Sequence, residues 1–546
     1  MPFPRPRFAA LALVACTGLS LPVSAAEPPA LVLLLAIDQL RRDRVDASLP
    51  GGLGRLAREG RLYTQSMLEH AATETCPGHV TMLSGRHPGP AGVPGNRFID
   101  RDSGRRVYCV EDPSEDGRVF GAQHGRSPRL FQVDFLGDWM KQARPETRVF
   151  SVSGKDRAAV ALGGKRADAA YWLEKGLEMG ESVGFTTSRY YTQALPGWVQ
   201  AFNGLDPLRD GLLADVPERW EHGPIEAGDR PDDYPAEDPD LGRTSGRRVR
   251  DDSLEDFAER VSATPFLDDI TLSFAEALIE NEGLGQGAMP DLLAIGLSAT
   301  DLVGHHYGPE SHEAIDALRR LDLALRDFFE FLEGRLGPDR VLIVLTSDHG
   351  VLPLPEWLVE TGRSQCPVED GRSGIILLGL GLRWKLHRSF APLFSWPQEW
   401  VHFSGSRVTV NRSLAREREV SVKEIVKVTE RYLEAQPAIV EAWTEEEIES
   451  RDSPLAQLYR NAFHPERSGD LAIQVAPTCL ITRYDYGTSH GSPYEYDLAV
   501  PLIFFGPGVP AGRIEGRAAP IDIAPTLARL LELEVPEGLD GRVLFE

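Results

Sequence analysis

The sequence predicts an α/β fold built on a doubly wound, mostly parallel sheet that carries two inserted, cap-like regions. Three observations lead to this prediction. Runs of mostly apolar residues at 31–37, 291–297 and 341–345 are typical of parallel strands buried on both faces. Stretches with helical periodicity lie between these runs, as in a doubly wound sheet. The regions 167–263 and 353–477 break the alternation, so they are interpreted as insertions.

The first strand is predicted at 31–37, directly before Asp38. Asp38 therefore follows the carboxyl end of a central strand, where open α/β sheets bind their ligands. A short helical pattern at 51–60 comes next, with Leu53 and Leu56 on one side.

The stretch from Thr73 to His79 predicts a helix start that presents a hydroxyl group. Pro77 suits the first turn of a helix, where a missing N–H costs nothing. Thr75 then lies at or just before the first helical residue, beside free N–H groups and the positive end of the helix dipole. A hydroxyl there can meet a phosphate, although a threonine in this position is most often only a helix cap.

A second strand is predicted at 148–152, and Lys155-Asp156-Arg157 follows it. The pattern becomes irregular from 167 to 263. Within that region, 206–252 is rich in Asp, Pro, Gly and Arg, which is typical of a surface insertion.

Regular structure resumes at 264–352. A helix is predicted at 271–280, and the strand at 291–297 ends just before Asp301. Ser311 can cap the next helix, whose apolar residues recur at helical spacing. The strand at 341–345 leads into Asp348 and His349.

After the second insertion the pattern returns, with His490 in a Gly-Thr-Ser-His-Gly loop before the last strand at 499–505. The predicted organisation is a leader, a core in three parts and two insertions. Their ranges are 1–25 for the leader, 30–166, 264–352 and 478–546 for the core, and 167–263 and 353–477 for the insertions.

Composition limits the partners. The 546 residues carry a formal charge of −24, which argues against a nucleic-acid partner and requires a local positive site for any phosphate. Arg5 and Arg7 precede a short apolar run and a small-residue cleavage pattern at 23–25, so a signal peptide and a periplasmic or secreted protein are predicted. An alternative is a lipoprotein signal in which Cys16 is acylated. No later stretch of the sequence is long and apolar enough to cross a membrane, and we expect a monomer.

The four cysteines after the leader match no CxxC metal motif. In an oxidising compartment one or two disulfides are expected, but the sequence leaves the pairing open. They are Cys76, Cys109, Cys366 and Cys479.

Acidic and imidazole side chains follow several predicted strands. Asp301 and His305 are four positions apart, so one helical turn presents both on the same side. Imidazole and carboxylate together are typical zinc ligands, whereas Ca²⁺ and Mg²⁺ prefer oxygen alone. The sequence therefore indicates two zinc-like ions. The candidate ligands are Asp38, Asp301, His305, Asp348, His349 and His490, while His306 is interpreted as exposed loop.

These motifs, in this order, resemble the alkaline phosphatase superfamily, and in particular its single-chain, PafA-like periplasmic members with a threonine nucleophile. The matching strings lie at 37–39, 73–79, 95–96, 153–157, 298–301, 347–350 and 489–493. The resemblance runs from about Leu31 to the C-terminus and is weaker over 206–252. It implies a sheet of the alkaline-phosphatase type.

The resemblance also implies a role for each site residue. Thr75 would attack phosphorus as an alkoxide and form a phospho-threonine, which water then hydrolyses. Asn96, Lys155 and Arg157 would contact the phosphoryl oxygens. The expected protein is a phosphate monoester hydrolase, an alkaline phosphatase acting on small molecules with two zinc ions as cofactors. The implied ligand sets are Asp301, His305 and His490 for one ion, and Asp38, Asp348, His349 and the Thr75 oxygen for the other.

Two alternatives remain. The first is a phosphodiesterase or nucleotide pyrophosphatase of the same superfamily. Lys155 and Arg157 favour a monoesterase over this alternative, because a monoester carries an extra negative charge. The other is a non-catalytic, metal-stabilised binding protein, which the complete set of expected residues disfavours. The sequence departs from the family pattern at Arg97, expected to face water, and at Cys76, interpreted as a packing residue.

Overall fold

A computed structural model describes residues 28–177, 182–207, 209–223, 230–250, 253–391 and 396–546. The predicted leader at 1–25, together with Cys16, lies outside these residues. Over the described ranges, every helix is too short or too polar to cross a bilayer.

The described chain alternates strands and helices along most of its length. The strands are β1 (Leu31–Ile37), β2 (Arg61–Ser66), β3 (Arg97–Ile99), β4 (Arg106–Tyr108), β5 (Val149–Ser153), β6 (Ala169–Leu177), β7 (Ser182–Thr186), β8 (Arg219–Trp220), β9 (Arg247–Arg248), β10 (Asp291–Leu297), β11 (Val341–Thr346), β12 (Arg372–Gly374), β13 (Val401–Ser404), β14 (Arg407–Val410), β15 (Ile439–Trp443), β16 (Leu471–Val475), β17 (Leu480–Thr482), β18 (Leu502–Phe505) and β19 (Gly512–Ala518). The helices are α1 (Gly52–Glu59), α2 (Thr75–Ser84), α3 (Leu136–Ala143), α4 (Asp156–Gly163), α5 (Gly197–Asn203), α6 (Leu254–Ser262), α7 (Phe266–Glu282), α8 (Ala299–Tyr307), α9 (His312–Leu336), α10 (Pro355–Glu360), α11 (Ile375–Phe390), α12 (Arg412–Glu417), α13 (Val422–Glu434), α14 (Glu445–Ser450), α15 (Pro454–Ala462), α16 (Glu495–Leu498) and α17 (Ile523–Leu530).

One large sheet forms the centre of the molecule. Its strand order is β19-β2-β18-β11-β1-β10-β5-β6-β7. β1 is parallel to both β10 and β11, and the pairs β10/β5, β5/β6 and β19/β2 are also parallel. β18 and β7 run antiparallel to their neighbours. The predicted α/β fold with a mostly parallel sheet is confirmed.

Helices cover both faces of this sheet. Every residue of β1 is buried, and alternate residues belong to two different apolar clusters. Leu31 and the residues on its face pack with α1, α7 and α9, whereas Val32 and the residues on its face pack with α2, α4 and α17. Burial on both sides explains why the sequence of β1 is apolar without a break.

The topology positions the site. β5, β10, β1 and β11 are adjacent parallel strands, so their carboxyl ends lie at the same edge of the sheet. Asp38 directly follows β1, Asp348 closely follows β11, Asp301 closely follows β10 and Lys155 closely follows β5. Four polar clusters that are far apart in sequence therefore share one edge.

The predicted start of the insertion at 167–263 is wrong, because the beginning of this region belongs to the core. β6 and β7 extend the central sheet instead of leaving it. Tyr171 and Trp172 of β6 are buried in the core. The remainder fits the expectation of irregular structure better, since the described part of 206–252 contains only the two-residue strands β8 and β9.

The second inserted region, 353–477, has a sheet of its own in the order β13-β14-β16-β15, which packs with α11 and α13 around a separate apolar cluster. Arg407 of β14 reaches back to the core, where its Nη2 donates to Glu74 Oε1 at 3.1 Å. A disulfide joins Cys366 to Cys479. Arg97, at the start of β3, is exposed as expected.

Candidate active site

Asp38 and Asp301 lie together at the carboxyl edge of the sheet. Asp301 is in the first turn of α8, and both side chains are buried. Lys155 Nζ lies 2.7 Å from Asp38 Oδ2 and also contacts Asp301 Oδ2. The structure therefore joins three of the predicted site residues in one buried cluster of charges.

Gln39 connects this cluster to Asp348. Its backbone N–H donates to Asp348 Oδ1 at 3.1 Å, and its side-chain amide donates to Asp301 Oδ1 at 2.7 Å. Gln39 has a φ of 65°, a left-handed conformation that is unfavourable for residues other than glycine. We infer that Gln39 positions two predicted metal ligands. Sequence analysis missed this role, and the place of Gln39 directly after Asp38 was the available signal.

Thr75 is the first residue of α2 and its side chain is buried. The N-cap residue is Glu74, and α2 has no side-chain cap within the described structure, so Thr75 is not a helix cap. Arg157 Nη2 donates to Thr75 Oγ1 at 3.3 Å. The hydroxyl is thus held beside a cation at the positive end of a helix.

The three histidines predicted as ligands share one hydrogen-bonding arrangement. The Nδ1 atom of each lies within hydrogen-bonding distance of a main-chain carbonyl, which can only accept, so Nδ1 carries a proton, and in the neutral imidazole Nε2 keeps its lone pair. Metal-binding histidines in proteins are oriented in this way. The partners are Thr488 O for His305 at 2.8 Å, Gly350 O for His349 at 3.0 Å and Thr73 O for His490 at 2.6 Å.

The free Nε2 atoms face the carboxylates. Those of His305 and His490 lie 3.2 and 3.7 Å from Asp301 Oδ1. His349 Nε2 lies 3.1 Å from Asp348 Oδ2, but its ring stacks on His490 with centroids 3.5 Å apart. His349 therefore lies between the two implied ligand sets, and its ligand atom groups with those of Asp301 and His490.

His79 is a buried residue of this site to which sequence analysis gave no role. Its Nδ1 lies 2.8 Å from the carbonyl of Thr75, one helical turn earlier, and its Nε2 lies 3.2 Å from Asp38 Oδ1. Its ligand atom groups with those of Asp38 and Asp348. The spacing of four residues from Thr75 was the signal available in the sequence. His79 links the helix that carries Thr75 to the carboxylates.

Several buried atoms of the cluster lack a hydrogen-bond partner among the described residues. They are Asp38 Oδ1, His79 Nε2, Asp348 Oδ2 and His349 Nε2. A buried polar atom left unsatisfied costs about 1–3 kcal/mol, and a charged one costs more. All four atoms are nitrogen or oxygen donors of the kind that zinc binds. The chemistry of these donors therefore fits bound metal ions such as zinc.

Neighbouring charges control protonation in the cluster. Burial opposes the charged form of His349, but the Asp348 carboxylate outweighs it and raises the pKa to about 9. Burial also opposes charge on Lys155, yet Asp301 and Asp38 raise its pKa. Burial, with His349 and His305 nearby, lowers the pKa of His490 well below its ordinary value. Because a histidine ligand must be neutral, a metal ion bound at His349 would displace a proton.

Arg157 lies next to a hydrogen-bonded acidic residue. Its neighbour Asp156 accepts from Tyr108 Oη at 2.6 Å and from Arg126 Nε at 2.5 Å. Burial disfavours the charged guanidinium of Arg157, but Tyr108 and Asp156 outweigh this and raise its pKa. Arg157 is therefore a permanent cation at the site.

Asn96 is fixed against the start of α2. Its Oδ1 accepts from the Cys76 N–H at 2.8 Å, and its own N–H donates to Glu74 Oε2 at 2.8 Å. Because the amide oxygen is occupied, the amide NH₂ group is the part available to a ligand. Cys76 is fully buried in the apolar core, as expected for a packing residue, and it also forms a disulfide with Cys109. The disulfide ties α2 to the segment that follows β4.

His306 is not in an exposed loop, which corrects the sequence interpretation. It lies in α8, is half-buried, and its Nδ1 is 2.8 Å from Asp238 Oδ2. Asp238 belongs to the irregular region 206–252, so no local sequence pattern predicts this contact.

A cavity of about 570 Å³ opens beside these residues, a volume typical of small-molecule sites. Asn96, Arg157 and His490 contribute to its wall. Phe403 and other apolar residues of the second inserted region form much of the remainder. The cavity thus pairs a polar, cationic wall with an apolar one.

We expect the Cys76–Cys109 disulfide to support both stability and activity. The bridge closes a loop with a sequence separation of 33 residues, for which chain entropy predicts a contribution of about 3–4 kcal/mol. Replacing both cysteines by serine should lower the denaturation midpoint, and displacement of Thr75 or Asn96 should reduce kcat/KM about 10- to 100-fold. Chemical unfolding and ester hydrolysis measure the two effects.

The matched control is Cys366→Ser with Cys479→Ser, which removes a bridge outside the start of α2. That variant should lose stability and keep most of its activity. If both double variants lost activity equally, the specific link between Cys76 and the site would be refuted.

The model of a family described as type I phosphodiesterase / nucleotide pyrophosphatase matches residues 32–495. The chain is 34% identical to alkaline phosphatase PhoK of Sphingomonas sp. over 540 residues, which cover 95% of this chain and 91% of PhoK. The crystal structure of wild-type alkaline phosphatase PafA superimposes with a TM-score of 0.85 at 27% identity, covering 95% of this chain and 99% of PafA. A PafA variant in which a threonine, an asparagine, a lysine and an arginine are replaced has a TM-score of 0.86 at 25% identity, with the same coverage.

Proposed function

Because this chain belongs to the type I phosphodiesterase / nucleotide pyrophosphatase family, within the alkaline phosphatase superfamily, we propose that it is an alkaline phosphatase that hydrolyses small phosphate monoesters through a phospho-threonine at a two-zinc site. The observation that carries the proposal is the contact of 3.3 Å between Arg157 Nη2 and Thr75 Oγ1. This contact between a buried hydroxyl and a cation supports Thr75 as the nucleophile and Arg157 as a phosphate ligand.

Asp38, Asp301, His305, Asp348, His349 and His490 would hold the two ions, with the Thr75 oxygen completing one set. When bound, zinc supplies Lewis acidity and lowers the pKa of a hydroxyl group, so that an alkoxide is available near neutral pH. The unsatisfied buried donors and the three Nδ1–carbonyl hydrogen bonds support this assignment.

The chain's own residues supply the nucleophile and the phosphoryl contacts. Thr75 Oγ1 forms the new bond to phosphorus, the ester P–O bond breaks, and the leaving oxygen departs on the opposite side and takes up a proton. Arg157 and the Asn96 amide NH₂ group bind non-bridging phosphoryl oxygens and neutralise the charge that the transition state spreads over them. Water then cleaves the phospho-threonine, which restores the Thr75 hydroxyl and frees inorganic phosphate.

The cationic residues favour a monoester over a diester. A monoester brings one more negative charge to the site, and Arg157 can bind two of its oxygens at once. In the PafA variant, the replaced threonine and asparagine have the same spacing as Thr75 and Asn96, and the replaced lysine and arginine are two positions apart, like Lys155 and Arg157. This correspondence supports a site in which Thr75, Asn96, Lys155 and Arg157 act together.

Export fits the proposal. The two disulfides, Cys76–Cys109 and Cys366–Cys479, are stable in an oxidising compartment. They support a periplasmic or secreted enzyme, in agreement with the predicted leader. The monomeric state stays a prediction, and acylation of Cys16 stays the alternative to a cleaved signal peptide.

Metal removal tests the cofactor assignment. Chelation should lower monoester hydrolysis by about 10³-fold or more, because the ions provide several kcal/mol of transition-state stabilisation. Zn²⁺ should restore activity better than Mg²⁺, since the donor set includes three imidazoles. The measurement is hydrolysis of a phenyl phosphate monoester before chelation, after it, and after each metal is returned.

The same samples should be assayed with the methyl phenyl phosphate diester. Preferential hydrolysis of the monoester supports the proposal, and preferential hydrolysis of the diester assigns the chain to the phosphodiesterase alternative. Recovery with Mg²⁺ alone would contradict zinc as the cofactor.

A further inference from the structure

A second group of potential metal ligands lies away from the candidate active site. It combines His222, which follows β8, with Asp232 and with His312, the first residue of α9. His222 Nε2 lies 3.0 Å from Asp232 Oδ1, and His312 Nδ1 lies 3.5 Å from the same oxygen. One ligand atom from each of the three residues lies within 4.8 Å of the other two. Two imidazoles therefore converge on a single carboxylate oxygen.

The group is buried and its donor atoms are unsatisfied. The side chains of His222 and His312 are only 2% and 5% exposed, and that of Asp232 is 20% exposed. Across the described part of the chain, His222 Nε2, Asp232 Oδ1 and both ring nitrogens of His312 have no hydrogen-bond partner. A fully buried imidazole without any partner is unfavourable unless another species binds it.

The surrounding protein groups do not account for these atoms. Arg247 pairs with Glu313 Oε1 and stacks over Trp220 and Tyr307, so its charge is committed elsewhere. The second carboxylate oxygen of Asp232 accepts from the Ser245 N–H at 3.2 Å, which leaves Oδ1 to the histidines. His222 Nδ1 lies 3.4 Å from the carbonyl of Gly223, so the other ring nitrogen, Nε2, is the one free to bind a ligand.

We propose that His222, Asp232 and His312 form an additional zinc site. Two imidazole nitrogens and one carboxylate oxygen are a typical donor set for Zn²⁺. Glu313 is the fourth donor within reach, because its Oε1 lies 3.6 Å from His222 Nε2 and its Oε2 has no hydrogen-bond partner within the described ranges. Three or four protein ligands that are almost completely buried are characteristic of a structural site.

The position of this site gives it a structural role. The segment from Asp232 to Arg247 crosses the end of α8, where the Asp238 N–H donates to the His306 carbonyl at 3.1 Å. The same segment accepts from the Gly487 N–H through Ala236 O at 2.7 Å. Gly487 precedes Thr488, whose carbonyl orients His305. A zinc ion would therefore fasten the irregular region 230–248 to the start of α9, beside the helix that carries Asp301 and His305.

Metal stoichiometry tests the proposal. The mature protein is saturated with Zn²⁺, freed of excess ion by gel filtration and analysed for bound metal per chain. His222→Ala with His312→Ala should hold one equivalent less than the unmodified protein. His124→Ala is the matched control, because its imidazole is 3.3 Å from Glu174 and outside both clusters, and it should retain every equivalent.

Two further measurements keep the result decisive. Asp232→Asn preserves shape and should also lose one equivalent while keeping the circular dichroism spectrum of the folded protein. Anomalous diffraction at the zinc edge should give a peak between His222 and His312, separate from any peak at Asp301 and Asp348. Equal zinc content in the unmodified protein and in the folded Asp232→Asn variant, or no anomalous peak at His222, would overturn the proposal. This outcome is independent of the active-site assignment, because the two sites share no residue.

Discussion

Replacing Thr75 by alanine is expected to lower monoester turnover by about 10⁴-fold or more, because the variant lacks the oxygen that we propose bonds to phosphorus. Zinc content should stay close to that of the unmodified enzyme, since all the acidic and imidazole ligands remain. The measurements are kcat for a phenyl phosphate monoester and bound metal per chain.

Thr75→Ser is the matched control for that variant. It keeps a hydroxyl at the first position of α2, so it should retain far more activity than Thr75→Ala and should still form a covalent phosphoryl-enzyme in acid-quenched samples. Substantial turnover by Thr75→Ala, with phosphate released at a rate near that of the unmodified enzyme, would refute the nucleophile assignment.

Replacing Lys155 and Arg157 together by alanine should impair monoesters much more than diesters. Arg157 contacts the Thr75 hydroxyl, and two cations should matter most for the substrate with the larger negative charge. We expect kcat/KM for the monoester to fall about 10³-fold, which corresponds to about 4 kcal/mol, and that for the diester to fall about 10-fold. Parallel assays of phenyl phosphate and methyl phenyl phosphate give the ratio.

The control for this pair is Arg106→Ala. Arg106 lines the same cavity, but its Nη2 donates to the Phe403 carbonyl at 2.8 Å. Its loss should affect both substrates weakly and equally. Metal content must also be measured for the double variant, because Lys155 contacts Asp38 and Asp301. Equal losses on both substrate classes, with metal retained, would contradict a role in monoester selection.

The central sheet could be predicted because its strands are buried on both faces. Such strands leave continuous apolar runs, and the residues directly after them are then recognisable as candidates for a site. β1 and β10 begin and end at the predicted residues. β6 and β7 were not predicted. β6 carries charged residues at its outer end, so it lacks a continuous apolar run. β7 is an edge strand that pairs antiparallel with β6 alone.

The finer arrangement of the site depends on contacts that are remote in sequence. The His349 ring stacks on His490, which brings its ligand atom close to those of Asp301 and His490. The position of His349 next to Asp348 in the sequence does not predict this grouping. The role of Gln39 depends on hydrogen bonds to residues 262 and 309 positions away. The disulfide pairs likewise follow from tertiary packing, which cysteine spacing does not encode.

The hydrogen bonds from histidine to main-chain carbonyl have a consequence for how this enzyme can change by substitution. In many metalloenzymes an aspartate or glutamate orients each imidazole, and a single codon change there alters the basicity of the ligand. Here the orienting atoms are peptide oxygens of Thr73, Gly350 and Thr488, which no exchange of side chain removes. Random mutagenesis should therefore readily change the side chains that line the cavity. The basicity of the three imidazoles should change much less.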